Sequence, residues 1–239
     1  MKNDVIKTFN LCKKGGRNYR IKDVQLSVPK CSIYGFLGPN GAGKTTTMKL
    51  ILGLIQPDGG SIEVLGKKMN PKNRFSINRH IGSLIENPGF YGHLSAQENL
   101  EIIAKYKGLG KEDIKEVLKL VHLYDRKDDK VKNYSLGMKQ RLGIAMALMG
   151  RPELIILDEP TNGLDPAGIN EIRNLIKSIP KTYGATVIIS SHLLSEIEQM
   201  ADHVGIINHG QLIYEGPLSK LETTSASLED VFLEMTKGA

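Results

Sequence analysis

Apolar residues occupy every second position through Val24, Leu26 and Val28, and the five residues Ile33 to Leu37 form an apolar run that stops at a glycine. Both patterns predict β-strands. Lys44 to Leu54 has helical character, so the local order is strand, glycine loop, helix. Gln56-Pro57-Asp58-Gly59-Gly60 breaks the chain, and Ser61 to Leu65 reads as a further strand in which Ile62 and Val64 alternate with Glu63. Between about Pro88 and Pro152 the period changes: Leu100, Ile103, Ala104, Ile114, Val117, Leu118 and Val121 fall at three- and four-residue steps, which predicts helices. Ser95-Ala96-Gln97-Glu98 fits a capping box and sets a helix start near Ala96. Strand-like runs return at Leu154 to Leu157, Thr186 to Ser190 and Val204 to Asn208. Asn208-His209-Gly210 predicts a hairpin turn into a strand over Gln211 to Glu215. Leu228, Val231, Phe232 and Met235 share one face of a short amphipathic helix predicted over Ser227 to Thr236. This order predicts a mixed α/β core interrupted by a helical insert.

A chain of 239 residues that is 40% hydrophobic can bury one sizeable core. The apolar runs at Leu142 to Gly150 and Leu154 to Leu157 are interrupted by Arg151 and Asp158, well short of the roughly 18 residues that a membrane helix needs. Work at a membrane therefore calls for a partner chain. The first residues carry charges with no long apolar stretch behind them, which predicts a cytosolic protein. Cys12 and Cys31 lack metal-site spacing and are expected to be reduced packing residues. The net charge of +6 comes from lysines spread over Lys13 to Arg20, Lys67 to Arg79 and Lys105 to Lys132. No nucleic-acid motif accompanies them, so they read as solvated surface.

Three segments carry chemistry. Gly38-Pro39-Asn40-Gly41-Ala42-Gly43-Lys44-Thr45 satisfies the phosphate-loop pattern G-x-x-x-x-G-K-[ST], with a strand before it and a helix after it. Side chains at Gly41 and Gly43 would block the phosphates; with glycine there, backbone N–H groups can turn inward. The following helix presents its positive end, and Lys44 can reach β- and γ-phosphates. Thr45 is expected to place its hydroxyl on Mg²⁺, and Thr46 to contact phosphate. Farther on, the apolar strand Leu154 to Leu157 ends in Asp158 and Glu159. Strand alternation would point these acids to opposite sides. Asp158 suits the Mg²⁺ shell and Glu159 the general base that activates water. The third segment, "YSLGMKQR", puts Ser135 and the N–H groups around Gly137 at a helix start suited to an anion. His192, in "IISSHLL", comes after another apolar strand and could meet a γ-phosphate. Taken singly, Ser135 reads as a helix cap and His192 as a structural histidine.

Together, the phosphate loop, "YSLGMKQR", "LIILDEPTNGLDP" and "SSH" resemble, in order and spacing, the ATP-binding subunits of ABC transporters over nearly the whole chain. The resemblance implies one ABC-type P-loop NTPase domain over 1–239. Its RecA-like mixed-sheet α/β core would span 1–88 and 152–222, with an N-terminal antiparallel β subdomain. An inserted α-helical subdomain over 89–151 would carry the signature, and a helical tail would span 223–239. The same likeness implies ATP, Mg²⁺ and ATP hydrolysis. It also implies a second copy of the chain in an ATP-sandwich dimer: Ser135 and Gly137 would complete the opposite site, Asp165 in "GLDP" would link the two sites, and His192 would act as the switch. An integral membrane permease is the implied partner, with this chain peripheral on the cytoplasmic face and no nucleic acid expected.

Departures from the common pattern are informative. The signature differs at Leu136 and Met138, and in "IGSLIENPGFY" Glu86 stands where most members have a glutamine that senses Mg²⁺ and the attacking water. Glu86 is thus carried over as a catalytic and metal-sensing residue at the start of a permease-contacting segment running to about Tyr106. Glutamate here, with "YSLGMKQR" and the ending "SLEDVFLEMT", resembles the subgroup that exports, or gives immunity to, peptide antibiotics of the lantibiotic and bacitracin kind. An aromatic stacking on adenine is expected near Lys14 or Gly15; neither is aromatic, leaving Tyr19 or Phe9 as replacements. Nucleic-acid-associated ATPases of translation or repair would carry two cassettes or a long coiled coil, and neither is present. A P-loop GTPase or small-molecule kinase is disfavoured by the lack of N-K-x-D and by "YSLGMKQR".

Overall fold

The computed structural model describes residues 4–86 and 89–221, so the predicted helix over Ser227 to Thr236 and the tail over 223–239 lie outside the described residues. The first half runs β1 (Asp4–Gly15), β2 (Asn18–Val24), β3 (Ser27–Pro29), β4 (Ile33–Leu37), α1 (Lys44–Ile51), β5 (Gly59–Val64), β6 (Lys67–Lys68), α2 (Arg74–Asn78), β7 (Ile81–Leu84) and α3 (Ala96–Lys107). It continues with α4 (Lys111–Leu120), α5 (Leu136–Leu148), β8 (Leu154–Leu157), α6 (Pro166–Tyr183), β9 (Thr186–Ser191), α7 (Leu194–Glu198), β10 (His203–Asn208) and β11 (Gln211–Pro217).

Two sheets result. One has the order β11-β10-β4-β9-β8-β7, parallel from β10 to β7 with β11 antiparallel at its edge. The other is antiparallel, β2-β1-β5-β6 with β3 also paired to β1. The central parallel strands are buried along their length, which is why they read as continuous apolar runs. Alternation then sorts their side chains between two cores. Tyr34, Phe36, Leu154, Ile156 and Ile188 join a core with α1 and the antiparallel sheet. Ile33, Leu37, Ile155, Leu157, Val187 and Ile189 join a second core with α3 to α7. The expected mixed α/β core, antiparallel β layer and helical insert are all present.

The strands over Ile33–Leu37 and Leu154–Leu157 have the predicted bounds. Helix α1 is shorter than predicted, ending at Ile51 because Gly53 takes φ +64. The Gly53 N–H donates to Leu50 O at 3.0 Å and the Leu54 N–H to Lys49 O at 2.9 Å, the paired bonds of a Schellman stop. Gly82 on β7 is fixed by close approach: a Cβ there would sit 1.9 Å from Ala147 O of α5, so any side chain would push the signature helix off the sheet.

Helix α3 begins as the capping box predicts. Glu98 N–H donates to Ser95 Oγ at 3.1 Å, and Ser95 N–H donates to Glu98 Oε2 at 2.6 Å. Asn99 ties the preceding loop to this start, its Nδ2 donating to Tyr91 O and its Oδ1 accepting from Tyr91 N–H. Replacing Ser95 with Ala should destabilise the chain by about 1 kcal/mol, a fall in melting temperature of ~2–4 °C by circular dichroism, while an unchanged melt would show that the cap contributes nothing.

Candidate nucleotide site

Four loops that leave the parallel sheet leave it at the same edge, because register fixes where neighbouring strands stop. Leu37 pairs with Ser191, Leu157 with Ile189, and Leu84 with Leu157. The carboxyl ends of β4, β8, β9 and β7 therefore deliver Gly38, Asp158, His192 and Glu86 to one rim. A crevice beyond the carboxyl ends of parallel strands is where open α/β sheets bind ligands.

The loop Gly38 to Gly43 turns between β4 and α1 on two glycines with positive φ, +82 at Gly41 and +114 at Gly43. At Gly41 a Cβ would meet nothing within 4 Å, so its requirement is conformational. At Gly43 a Cβ would also lie 2.6 Å from Ile21 Cδ1 and 3.1 Å from Arg20 O, so packing against β2 adds to the strain. Backbone conformation at both positions, and packing at Gly43, thus call for glycine apart from any need to leave room for phosphate. Ala42 anchors the loop from beneath, accepting from Gly210 N–H at 2.9 Å. Helix α1 opens at Gly43 with no side-chain cap and no acid in its first turn, leaving its first N–H groups for an anion. Asn40, Gly41, Gly43, Thr45 and Thr46 border the opening, and Lys44, though buried, sends Nζ to Gly38 O at 2.7 Å and Pro39 O at 3.2 Å.

The acids arrive from β8. Asp158 is buried and each of its oxygens is engaged: Thr45 Oγ1 donates to Oδ2 at 2.7 Å and Ser190 Oγ donates to Oδ1 at 2.6 Å. Glu159 lies 3.4 Å through Oε1 from Lys44 Nζ, and 3.3 Å through Oε2 from His192 Nδ1. The second contact is close enough for an ion pair but not aligned as a hydrogen bond, since Nδ1 has no hydrogen-bond partner. The different directions of the two acids do not come from strand alternation. Strand β8 stops at Leu157 and Glu159 adopts φ +47, so a backbone turn swings it toward the phosphate loop. Ser190 holds that turn by accepting the Glu159 N–H at 2.8 Å while donating to Asp158. Sequence reasoning places Ser190 within "SSH" but gives it no role; its signal was a serine facing a carboxylate-bearing neighbour strand.

The remaining predicted residues divide. Glu86 joins Thr45, Asp158 and Glu159 around a cleft of about 630 Å³, which Leu136, Lys139 and Gln140 of α5 border from the other side. Ser135 and Asp165 are helix caps, Ser135 Oγ accepting from Met138 N–H at 3.3 Å and Asp165 Oδ1 from Gly168 N–H at 2.9 Å. Neither borders the chain's own phosphate loop. Their segments meet each other instead: a Cβ on Gly137 would lie 3.8 Å from Leu164, and one on Gly163 3.1 Å from Leu136. For adenine, Tyr19 stands across from Lys14 in the β1–β2 pair, with Lys14 Nζ 5.7 Å from its ring centroid. Neither Tyr19 nor Phe9 borders the loop opening of about 290 Å³. Arg20 does, a residue that the sequence did not single out.

The chain matches known proteins in sequence and in fold. A family profile described as "ABC transporter" matches residues 21–162. The Bacitracin transport ATP-binding protein BcrA of Bacillus licheniformis is 53% identical over 219 residues, 91% of this chain and 71% of that protein. The Lantibiotic transport ATP-binding protein SrtF of Streptococcus pyogenes is 43% identical over 228 residues, 95% of this chain and 96% of that protein. Among solved structures, an ATP-binding subunit of an ABC transporter superposes with TM-score 0.85 at 27% identity, covering 97% of this chain and 99% of that one. A dimeric, post-hydrolysis ATP-binding cassette, MJ0796 with ADP and Pi, superposes with TM-score 0.80 at 27% identity, over 89% of this chain and 98% of that one. With a phosphate loop, strand-tip acids and signature helix in one arrangement, and with relatives of this likeness, the chain belongs to the ABC transporter family as an ATP-binding subunit.

Proposed function

We propose that this chain hydrolyses Mg²⁺·ATP to drive a separate membrane permease that exports, or protects against, a peptide antibiotic of the bacitracin or lantibiotic class. The observation that carries the catalytic part is the meeting of Lys44, Thr45, Asp158, Glu159 and His192 at one sheet edge. The antibiotic class rests on the likeness to BcrA and SrtF, and on Glu86.

Thr45 and Asp158 are the residues that would hold the metal: a hydroxyl and a carboxylate 2.7 Å apart are the hard oxygen donors that suit Mg²⁺, which keeps several waters. Held there, Mg²⁺ would supply positive charge to offset that of the phosphate tail. Loop N–H groups and Lys44 Nζ hold the triphosphate and offset charge on the transferred group. Glu159, turned toward Lys44, accepts a proton from the attacking water, and His192 orients Glu159 and reaches the γ-phosphate. Ser135 and Gly137 on one copy close over the nucleotide of a second copy, with Asp165 at the shared face; that none of the three borders the chain's own phosphate-loop opening, while their segments adjoin each other, supports this use. No helix among the described residues is long and apolar enough to cross a membrane, in keeping with a peripheral subunit on the cytoplasmic face of a permease.

The permease surface we assign is a groove of about 700 Å³ between α2 and α3, bordered by Phe75 and Tyr106, which are 63% and 74% exposed. Two exposed aromatics at the rim of an otherwise largely polar groove suit a protein contact.

Replacing Lys44 with Ala should weaken ATP binding at least about tenfold by calorimetry, and unchanged affinity would contradict the phosphate-loop assignment. Glu159→Gln should retain ATP but lower turnover about 10²–10⁴-fold, and should remove protection against the peptide in cells that carry the permease. Turnover at the normal rate would exclude Glu159 as the base, and protection that persisted would sever transport from hydrolysis. The double substitution Phe75→Ala/Tyr106→Ala should abolish co-purification with the permease while leaving ATP binding intact; full co-purification would displace the contact to another face.

A further inference from the structure

Glu86 adds a third carboxylate to a cleft that already holds Asp158 and Glu159, beside a loop built to receive an anion. Each of the other two acids has partners within the site. Asp158 takes the hydroxyls of Thr45 and Ser190, and Glu159 faces Lys44 and His192. Glu86 has a partner too, and it comes from the nucleotide-binding helix. Lys49 Nζ donates to Glu86 Oε1 at 2.6 Å.

The position of Lys49 is set by helix geometry. Residues four apart share a face, so Lys49 stands one turn beyond Thr45, the residue whose hydroxyl meets Asp158. The pair therefore ties the face of α1 that carries Thr45 to the loop leaving β7. Glu86 is held there with φ +58, a left-handed conformation that costs a non-glycine residue and persists only where its surroundings fix it. Lys139 of α5 is another cation at this cleft, but it comes from the signature helix, and the cation paired with Glu86 is Lys49.

We propose that Lys49 is a positioning residue of the nucleotide site: it takes up the charge of Glu86 and orients it, so that a glutamate can stand at the rim without repelling the triphosphate. The inference rests on the ATP site proposed above. It makes Lys49 and Glu86 a functional unit, in which the lysine matters because the acid is there.

The test is a double-mutant cycle read by equilibrium binding of a fluorescent ATP analogue, in EDTA and in Mg²⁺, at low ionic strength. Lys49→Met should weaken binding in EDTA by about two- to fivefold, the size set by a pair that is partly exposed. Mg²⁺ should shrink the loss, and so should about 0.5 M salt, which screens exposed charges. Lys49→Arg should restore affinity. In the Glu86→Gln background, whatever its own affinity, Lys49→Met should have no further effect. An equal loss in both backgrounds, or no loss in EDTA, would overturn the proposal. Melting curves of Lys49→Met and Lys49→Arg separate lost folding from lost charge balance: if the Met variant unfolds, the neutral but polar Lys49→Gln takes its place in the cycle, with a loss expected beside Glu86 and none beside Glu86→Gln, and an equal loss in both backgrounds again overturning the proposal. A wild-type chain that bound no ATP would instead remove the nucleotide site itself.

Discussion

Parallel register is the constraint on which the site depends. Because β4, β8 and β9 run the same way and end close to one another in register, a glycine loop meets two acids and a histidine that follow it by more than a hundred residues in sequence. The contact that closes this meeting is the bond from Thr45 Oγ1 to Asp158 Oδ2, which joins the first turn of α1 to the tip of β8. Both partners sit at the ends of elements anchored in buried cores, so the donor pair inherits the rigidity of the sheet between them. A site that relies on electrostatic positioning gains from such support, since its groups need no reorganisation at the moment of reaction.

Much of this was legible in the sequence, for a physical reason. Strands buried on both faces have to be apolar throughout, so Ile33–Leu37 and Leu154–Leu157 announce themselves, and the residues just after each are by position candidates for chemistry. The capping box at Ser95 was legible because its two bonds are local. Strand β1 was not, since bulges at Leu11 to Lys14 break its alternation. Helix α6 was missed although Ile172, Leu175, Ile176 and Ile179 share a face; Pro180, which has no N–H to give the Ile176 carbonyl, interrupts the pattern and reads as a helix stop.

Within the site, the features that escaped the sequence are those that depend on backbone turns and cross-strand neighbours. The direction of Glu159 is set by a left-handed residue after the strand, and Ser190 matters only because β9 lies beside β8. Arg20 at the loop opening and Lys49 against Glu86 likewise need the fold before they can be seen. Glu86 itself stood out from the resemblance, while its partner did not. Where the resemblance implies an amide the chain has a carboxylate, and Lys49, one turn along α1 from Thr45, is the counterpart that we propose for its charge.

The central claim is that the grip on the nucleotide lies in the phosphate tail, held by the loop amides and Lys44. Competition calorimetry on the purified chain tests it most directly. The account predicts one ATP per chain, displaced by ADP and by inorganic triphosphate but not by AMP, which lacks the phosphates that the loop would hold. No binding of ATP, or displacement by AMP as effective as by ADP, would contradict it.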